Sequence, residues 1–454
     1  MHLLTGKSKT TWIIAATLGC AAAFLLNYPV FVSVKDSTSG QVAGILELRD
    51  KVAREYVDPV DEERLYYGAL KGMVEELDQY GAFIEPKDVP EFMSSVEGKF
   101  GGLGIYVAKE GPNLTVITPI EGTPAFKEGI LAGDIILRID GESTEGFDLI
   151  QAGKRLRGKE GTKVTLTVLH PGDVMPVEIA ITRAIITEES VKGARIIDPA
   201  HGIGYLRITQ FQEETHSEFL RQVRKLQEEG MRSLVLDLRF NPGGIFRTAV
   251  QVADEFLNAG KIVIIVGRDG KQKVIDAGEG GLLTNLPVVV LINRGTASAS
   301  EIVTGALQDN KKALVLGTRS FGKGLVQTVF KVDRERAMLK LTTARYYTPD
   351  GHSINKRTPC LNQAVTCFHK ANEEEFNLGG LKPDVEVQVS EAQELELRRY
   401  IYQLETEPKK DKEFWAKHSP VLNALDAQLS RALDYLRNPK LYEETLAKGG
   451  SRSL

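Results

Sequence analysis

Two short segments carry residues whose types and spacing suit acyl-transfer chemistry. In the first, the apolar run Val288–Ile292 leads into Asn293-Arg294-Gly295-Thr296-Ala297-Ser298-Ala299-Ser300-Glu301-Ile302. The small residues predict a tight strand-to-helix turn, with Ser298 at or near a helix N-terminus. Free backbone N–H groups and the positive end of the helix dipole face that point. Negative charge that develops during acyl transfer is stabilised there, so the position suits a serine nucleophile. It equally suits a serine that only caps the helix. Ser300 is the rival nucleophile, and reads better as a packing or helix-start residue.

In the second segment, Gly317-Thr318-Arg319-Ser320-Phe321-Gly322-Lys323-Gly324-Leu325-Val326-Gln327, a lysine stands between two glycines. The glycines let backbone come close to a neighbour. Gln327 lies four residues on, on the same side as Lys323 if the chain is extended. A phosphate-binding loop is a poor fit, because its wider glycine framework and the Ser/Thr after the lysine are missing.

Further segments stand in a fixed order around these two: Gly204-Tyr205-Leu206-Arg207-Ile208, Asp237-Leu238-Arg239-Phe240-Asn241-Pro242-Gly243-Gly244, Tyr346-Tyr347-Thr348-Pro349-Asp350-Gly351 and Gly380-Leu381-Lys382-Pro383-Asp384. Together with Thr-Ala-Ser-Ala-Ser-Glu and Phe-Gly-Lys-Gly-x-x-Gln they resemble the carboxyl-terminal processing proteases, over roughly residues 40 to 390. The resemblance implies Ser298 as nucleophile, Lys323 as general base and Gln327 as the residue that orients the lysine. It implies an oxyanion hole from the N–H of Gly243 or Gly244 together with that of Ala299. It requires no cofactor and no metal. Two segments depart from the family pattern. Leu77-Asp78-Gln79-Tyr80-Gly81-Ala82-Phe83 replaces the usual Asp-Pro-His-Ser form, which is expected to affect local packing rather than catalysis. The stretch 356–378 reads as an insertion before Gly380.

A lysine base needs an uncharged amine. In water its pKa is ~10.4, and burial among apolar groups lowers it. Phe321, Leu325 and Val326 are available for such surroundings. A Ser–His–Asp arrangement is the weaker mechanism, because no histidine lies near Ser298 in sequence; it would need His201, His216 or His352 to be brought to Ser298 by the fold.

Phe100-Gly101-Gly102-Leu103-Gly104-Ile105 resembles the carboxylate-binding loop of PDZ domains, and Gly129-Ile130-Leu131-Ala132-Gly133-Asp134-Ile135-Ile136 resembles their next strand-entry motif. Gly102, Leu103, Gly104 and Ile105 would hold a peptide C-terminus and its last side chain, with the following strand pairing along the peptide. Arg157 would contact the catalytic domain and couple peptide binding to activity, or is a solvated loop arginine.

These residues need elements to position them. Apolar residues at helical spacing, Ile45, Leu46, Val52, Leu65, Leu70 and Val74, predict helix across 41–76 with a break at Pro59. Short strands and glycine turns from 100 to 183 predict a small β-rich domain. From 203 to about 389, strands alternate with helices, which predicts an α/β core with largely parallel central strands. The chain from 391 is charged and helical, either a solvated tail or a dimer contact. The expected division is therefore 1–34 tail and anchor or signal segment, 35–95 helical, 96–183 PDZ, 184–390 protease core and 391–454 helical tail.

The 454-residue chain balances 57 Lys+Arg against 61 Asp+Glu, a formal charge of -4, which gives no reason to expect nucleic acid as a partner. Lys7 and Lys9 precede an uncharged stretch over 11–34, long enough with its flanks for the ~20 residues of a membrane span. Positive charge before the run directs the rest of the chain across the membrane. An uncleaved anchor in the inner membrane, facing the periplasm, is preferred over a cleaved signal peptide. Cys20 is read as membrane packing rather than a lipidation site. Cys360 and Cys367 would form a local disulfide or remain free thiols. Expected partners are protein substrates with accessible C-termini, with a homo-oligomer or adaptor as a further possibility. The rival reading from another class is a catalytically silent PDZ scaffold, which has no need of Ser298, Lys323 and Gln327 together.

Overall fold

The computed structural model describes residues 36–120, 122–187, 189–355, 379–406 and 412–449. The apolar 11–34 segment, Cys20, Cys360 and Cys367 lie outside them. Among the described residues no helix is long and apolar enough to cross a membrane.

The chain divides into two compact units, up to Met73 and from Val74 onward. The first holds helix α1 (Asp36–Glu55) and most of α2 (Glu62–Glu75), separated where Pro59 is expected to break the run. Arg49 bridges them through Glu62 at 2.6 Å.

In the second unit, β1 (Ala82–Ile84), α3 (Val89–Glu97) and β2 (Lys99–Gly102) lead into an antiparallel domain. It comprises β3 (Ile105–Glu110), β4 (Asn113–Pro119), α4 (Pro124–Lys127), β5 (Ile135–Ile139), β6 (Glu142–Ser143), α5 (Leu149–Leu156), β7 (Lys163–Leu169) and β8 (Val177–Thr182). Its sheet runs β3-β4-β5-β7-β8, which leaves β3 on an edge. Alternate residues of β7 are buried, the period-two pattern of a sheet with one packed face. β9 (Ala184–Thr187) then pairs with β2 and closes the domain at its neck.

The α/β core comes next in the chain: β10 (Val191–Asp198), β11 (Ile203–Ile208), α6 (Thr215–Glu228), β12 (Ser233–Asp237), α7 (Phe246–Asp254), β13 (Lys261–Gly267), β14 (Gln272–Asp276), β15 (Val288–Ile292), α8 (Ala299–Asp309), β16 (Ala313–Gly317), β17 (Leu325–Val332), β18 (Ala337–Tyr347) and β19 (Val385–Glu386). The main sheet runs β10-β11-β12-β15-β16-β19. β11, β12, β15, β16 and β19 are parallel. Every residue of β11, β12, β15 and β16 is buried, as their continuous apolar runs require when helices cover both faces. The apolar run 262–266 reads in sequence as one more strand of this core. β13 instead joins a second, antiparallel sheet, β1-β18-β13-β14, with β17 hairpinned onto β18.

One face of the main sheet packs on α6, α7 and α8. The other packs on α9 (Glu391–Thr406), α10 (Lys412–Leu425), α11 (Ala427–Arg437) and α12 (Pro439–Gly449), through Leu397, Ile401, Leu404, Leu429, Leu433 and Tyr442. The C-terminal helices are therefore packed on the sheet rather than a solvated tail. Without them Ile203, Val235, Val289, Leu291, Leu314 and Leu316 would face water.

Candidate active site

Ser298 sits where β15 turns into α8, with φ 57° and ψ −117°. A non-glycine residue there costs about 1–3 kcal/mol and persists only when its surroundings hold it. Several contacts do. The Glu301 carboxylate accepts the Ser298 N–H at 2.8 Å. The Tyr346 hydroxyl donates to the Ser298 carbonyl at 2.8 Å. The preceding Ala297 N–H donates to the Asn241 carbonyl at 2.9 Å. The serine is half-buried at the N-terminus of a helix whose residues from Ala299 to Gln308 are all buried. Ser300, the rival nucleophile, is fully buried and donates to the Asn241 carbonyl at 3.1 Å, a packing role.

Glu301 links the two chemistry-bearing segments. Its fully buried carboxylate accepts Ser298 N, Gly322 N at 2.8 Å, Lys323 N at 2.9 Å and the Ser320 hydroxyl at 2.5 Å. Burial pushes its carboxyl above the ordinary value, and these donated bonds pull it back. The Tyr346 hydroxyl adds a second link, donating to both the Ser298 and Lys323 carbonyls. The Ser298 turn and the Gly-Lys-Gly loop are thus pinned on shared groups.

Gly322, at φ 91°, has no room for a Cβ, which would lie 2.8 Å from Gly380 N. That close approach is what the glycine-flanked lysine signalled. Lys323 is half-buried, and its Nζ donates to Gln327 Oε1 at 3.3 Å. Gln327 Nε2 in turn donates to the Tyr80 carbonyl at 2.6 Å, and Lys323 Nζ lies 4.8 Å from the Tyr80 ring centroid. Burial lowers the lysine pKa, and repulsion from Lys340 lowers it further, while Asp78 and Glu301 act the other way. Of the residues expected to give apolar cover, Phe321 is 41% exposed. Tyr80 stands against the amine. The departure at 77–83 therefore places Tyr80 beside Gln327 and the Lys323 amine.

The loop Asp237–Gly244 lies against the Ser298 turn. A Cβ on Gly243 would come within 2.9 Å of Ala299 N and 2.8 Å of Ser298 Cβ. Its own N–H is taken by the Asn241 side chain at 2.9 Å. Among the described residues, the amides of Gly244 and Ala299 donate no intramolecular hydrogen bond. Of the expected oxyanion donors, Gly244 and Ala299 remain available and Gly243 does not.

In the small domain, Leu103 is buried, Gly104 takes φ 78°, and Ile105 opens the edge strand β3. The Leu103 and Gly104 carbonyls are bonded by Ala125 N and Ile120 N. Gly102 pairs with Ala184. Arg157 stacks its guanidinium over Phe100, 4.5 Å from the ring centroid, at the neck of this domain. Of the histidines considered, His216 pairs with Glu255 at 2.9 Å and His201 with Asp198 at 3.1 Å. His352 groups with Asp309 at the far end of α8, about 15 Å along the helix from Ser298. No candidate metal group includes Ser298 or Lys323 neighbours among the described residues.

The family model described as peptidase family S41 matches residues 202–387, and the PDZ domain model matches residues 101–181. The chain is 40% identical over 351 residues to a carboxy-terminal-processing protease of Bartonella bacilliformis, covering 76% of this chain and 80% of that protein. It is 36% identical to a carboxyl-terminal-processing protease of Synechocystis sp., covering 68% and 72%. The solved photosystem II D1 C-terminal processing protease is 30% identical, covering 76% of this chain and 86% of that one, with a TM-score of 0.43. The chain belongs to peptidase family S41, as a carboxyl-terminal processing serine protease with a PDZ domain.

Proposed function

We propose that this protease works by a Ser–Lys mechanism on exported proteins, selected by their C-terminal ends. The observation that carries the reading is the half-buried Lys323 amine, held by Gln327 in a loop fastened to the Ser298 turn through Glu301 and Tyr346. Neutral Lys323 takes the proton from Ser298 Oγ as the oxygen attacks the scissile carbonyl. The N–H groups of Gly244 and Ala299 receive the oxyanion, at the positive end of α8. The lysine ammonium then protonates the leaving amine. The Lys323 amine, neutral again, then deprotonates a water that attacks the acyl group, and returns the proton to Ser298 Oγ as the ester bond breaks.

The peptide C-terminus docks along the edge strand β3, with its carboxylate at the turn Gly102-Leu103-Gly104-Ile105. An export role rests on Lys7 and Lys9 before the apolar 11–34 segment, which would anchor the enzyme in the inner membrane with its catalytic part outside. Casein digestion by wild type, Ser298→Ala and Lys323→Ala tests the mechanism. Both variants should lose at least about a thousandfold in rate. Full activity in Lys323→Ala would return the base role to a histidine.

A further inference from the structure

We propose that the turn 77–83 is part of the general-base assembly, with Tyr80 as a positioning residue and Asp78 and Lys340 as opposing charges around Lys323. This rests on Lys323 being the base.

The geometry is specific. The Asp78 carboxylate accepts the N–H groups of Tyr80 and Gly81, each at 2.8 Å, which fixes the turn. The fixed turn presents the Tyr80 carbonyl to Gln327 Nε2 at 2.6 Å. That leaves Gln327 Oε1 facing Lys323 Nζ. The same residue sets its ring 4.8 Å from Nζ. One residue thus orients the glutamine through its backbone and covers the amine through its side chain. An aromatic face favours the ammonium and excludes water, so it keeps the proton acceptor defined without making it permanently neutral.

Lys340 lies on β18, opposite Ala82 of β1 and Val329 of β17, so the strand that carries it borders the same turn. The ionisable groups around the amine are then Asp78 from the turn, Lys340 from β18, Glu301 from α8, and the phenols of Tyr80 and Tyr346. Repulsion from Lys340 disfavours the ammonium, and attraction to Asp78 and Glu301 favours it. Asp78 feels the reverse of this. Burial raises its carboxyl, but the Tyr80 N–H, the nearby Thr342 hydroxyl, the Gly81 N–H and the Lys323 charge leave it below its ordinary value.

The test is the rate at which a fluorophosphonate probe labels the detergent-solubilised full chain, measured across pH. The rate should rise with pH as Lys323 loses its proton, which gives an acid limb. Asp78→Asn keeps the acceptor oxygen and removes the charge. It should move the limb to lower pH, raising the rate on the limb about threefold relative to that variant's own plateau. Lys340→Gln should move the limb to higher pH, with a fall of about threefold at the same point. The double variant should return close to wild type. Tyr80→Ala should lower the plateau about tenfold, and Tyr80→Phe should restore it. A merely structural turn would change melting temperature without moving the limb in opposite directions. Limbs that stay put in both charge variants, while Lys323→Ala is unlabelled, overturn the proposal and leave the base in place. Labelling of Lys323→Ala at the wild-type rate overturns the base reading and this proposal with it.

Discussion

At the scale of residues, the site depends on how few groups hold Ser298 and Lys323 together. Glu301 receives hydrogen bonds from both segments, so replacing it removes a shared anchor rather than one contact. Glu301→Gln puts an N–H₂ among donors and leaves some unsatisfied in a buried place. Probe labelling should fall at least about a hundredfold, measured against an unchanged circular dichroism spectrum. Strain at Ser298 gives a second expectation. Ser298→Gly and Ser298→Ala are both expected to be inactive, but only glycine adopts φ 57° without a Cβ penalty. The glycine variant should therefore melt no lower than the alanine variant, despite glycine's greater unfolded-state freedom. Ser298, Lys323 and Gln327 were legible in sequence because each sits in a short motif. The role of Glu301 was not. It lies in the serine motif, but its other donors come from Ser320, Gly322 and Lys323. Tyr80 was less legible still, because it meets Gln327 across 247 positions and only folding brings them together.

At the scale of elements, the active centre is a junction of three turns: the loop after β12, the turn from β15 into α8, and the loop between β16 and β17. Parallel strands deliver the first two to the same end of the sheet. Ala297 N and Ser300 Oγ both bond the Asn241 carbonyl, so the two loops are stitched at one atom. Gly243 is what allows this approach. Gly243→Ala meets backbone at 2.7 Å and 2.9 Å, at a φ of 100°. It should cost about 1–3 kcal/mol of stability, read as a lower urea midpoint, and should separate the Ala299 amide from Gly244 with loss of labelling. The alternation of strands and helices was visible in the sequence. The placement of β13 was not, since Ile262 to Ile265 is as apolar as a central strand. Pairing with β18, which lies far along the chain, decides its sheet.

At the scale of the whole molecule, the C-terminal helices complete the catalytic unit. Buried Arg239, in the loop after β12, donates to Asp237 at 2.9 Å and 2.6 Å and to Asp426 at 2.8 Å and 2.7 Å. Asp426 caps α11 through Leu429 N at 2.9 Å. A desolvated arginine between two carboxylates is satisfied only while both remain. Asp426→Ala leaves a buried charge short of a partner and should cost about 3–5 kcal/mol, seen as a large fall in melting temperature. Arg195 makes a second tie, its guanidinium lying 3.9 Å from the Trp415 ring centroid and 4.7 Å from that of Tyr205. Charge density makes 391–454 read as a solvated tail or a dimer contact. Of its sparse apolar positions Leu395, Leu397, Ile401 and Leu404, the last three nevertheless bury against the sheet, while Leu395 is exposed.

The proposed mechanism turns on an uncharged Lys323 amine acting on Ser298. The most direct measurement is mapping of the fluorophosphonate adduct by peptide mass spectrometry in wild type and Lys323→Ala, at pH values on both sides of neutrality. A lysine base predicts one adduct, on Ser298, whose yield rises with pH and is lost in the alanine variant. An adduct on another serine, or equal modification of Ser298 without the lysine, would contradict it.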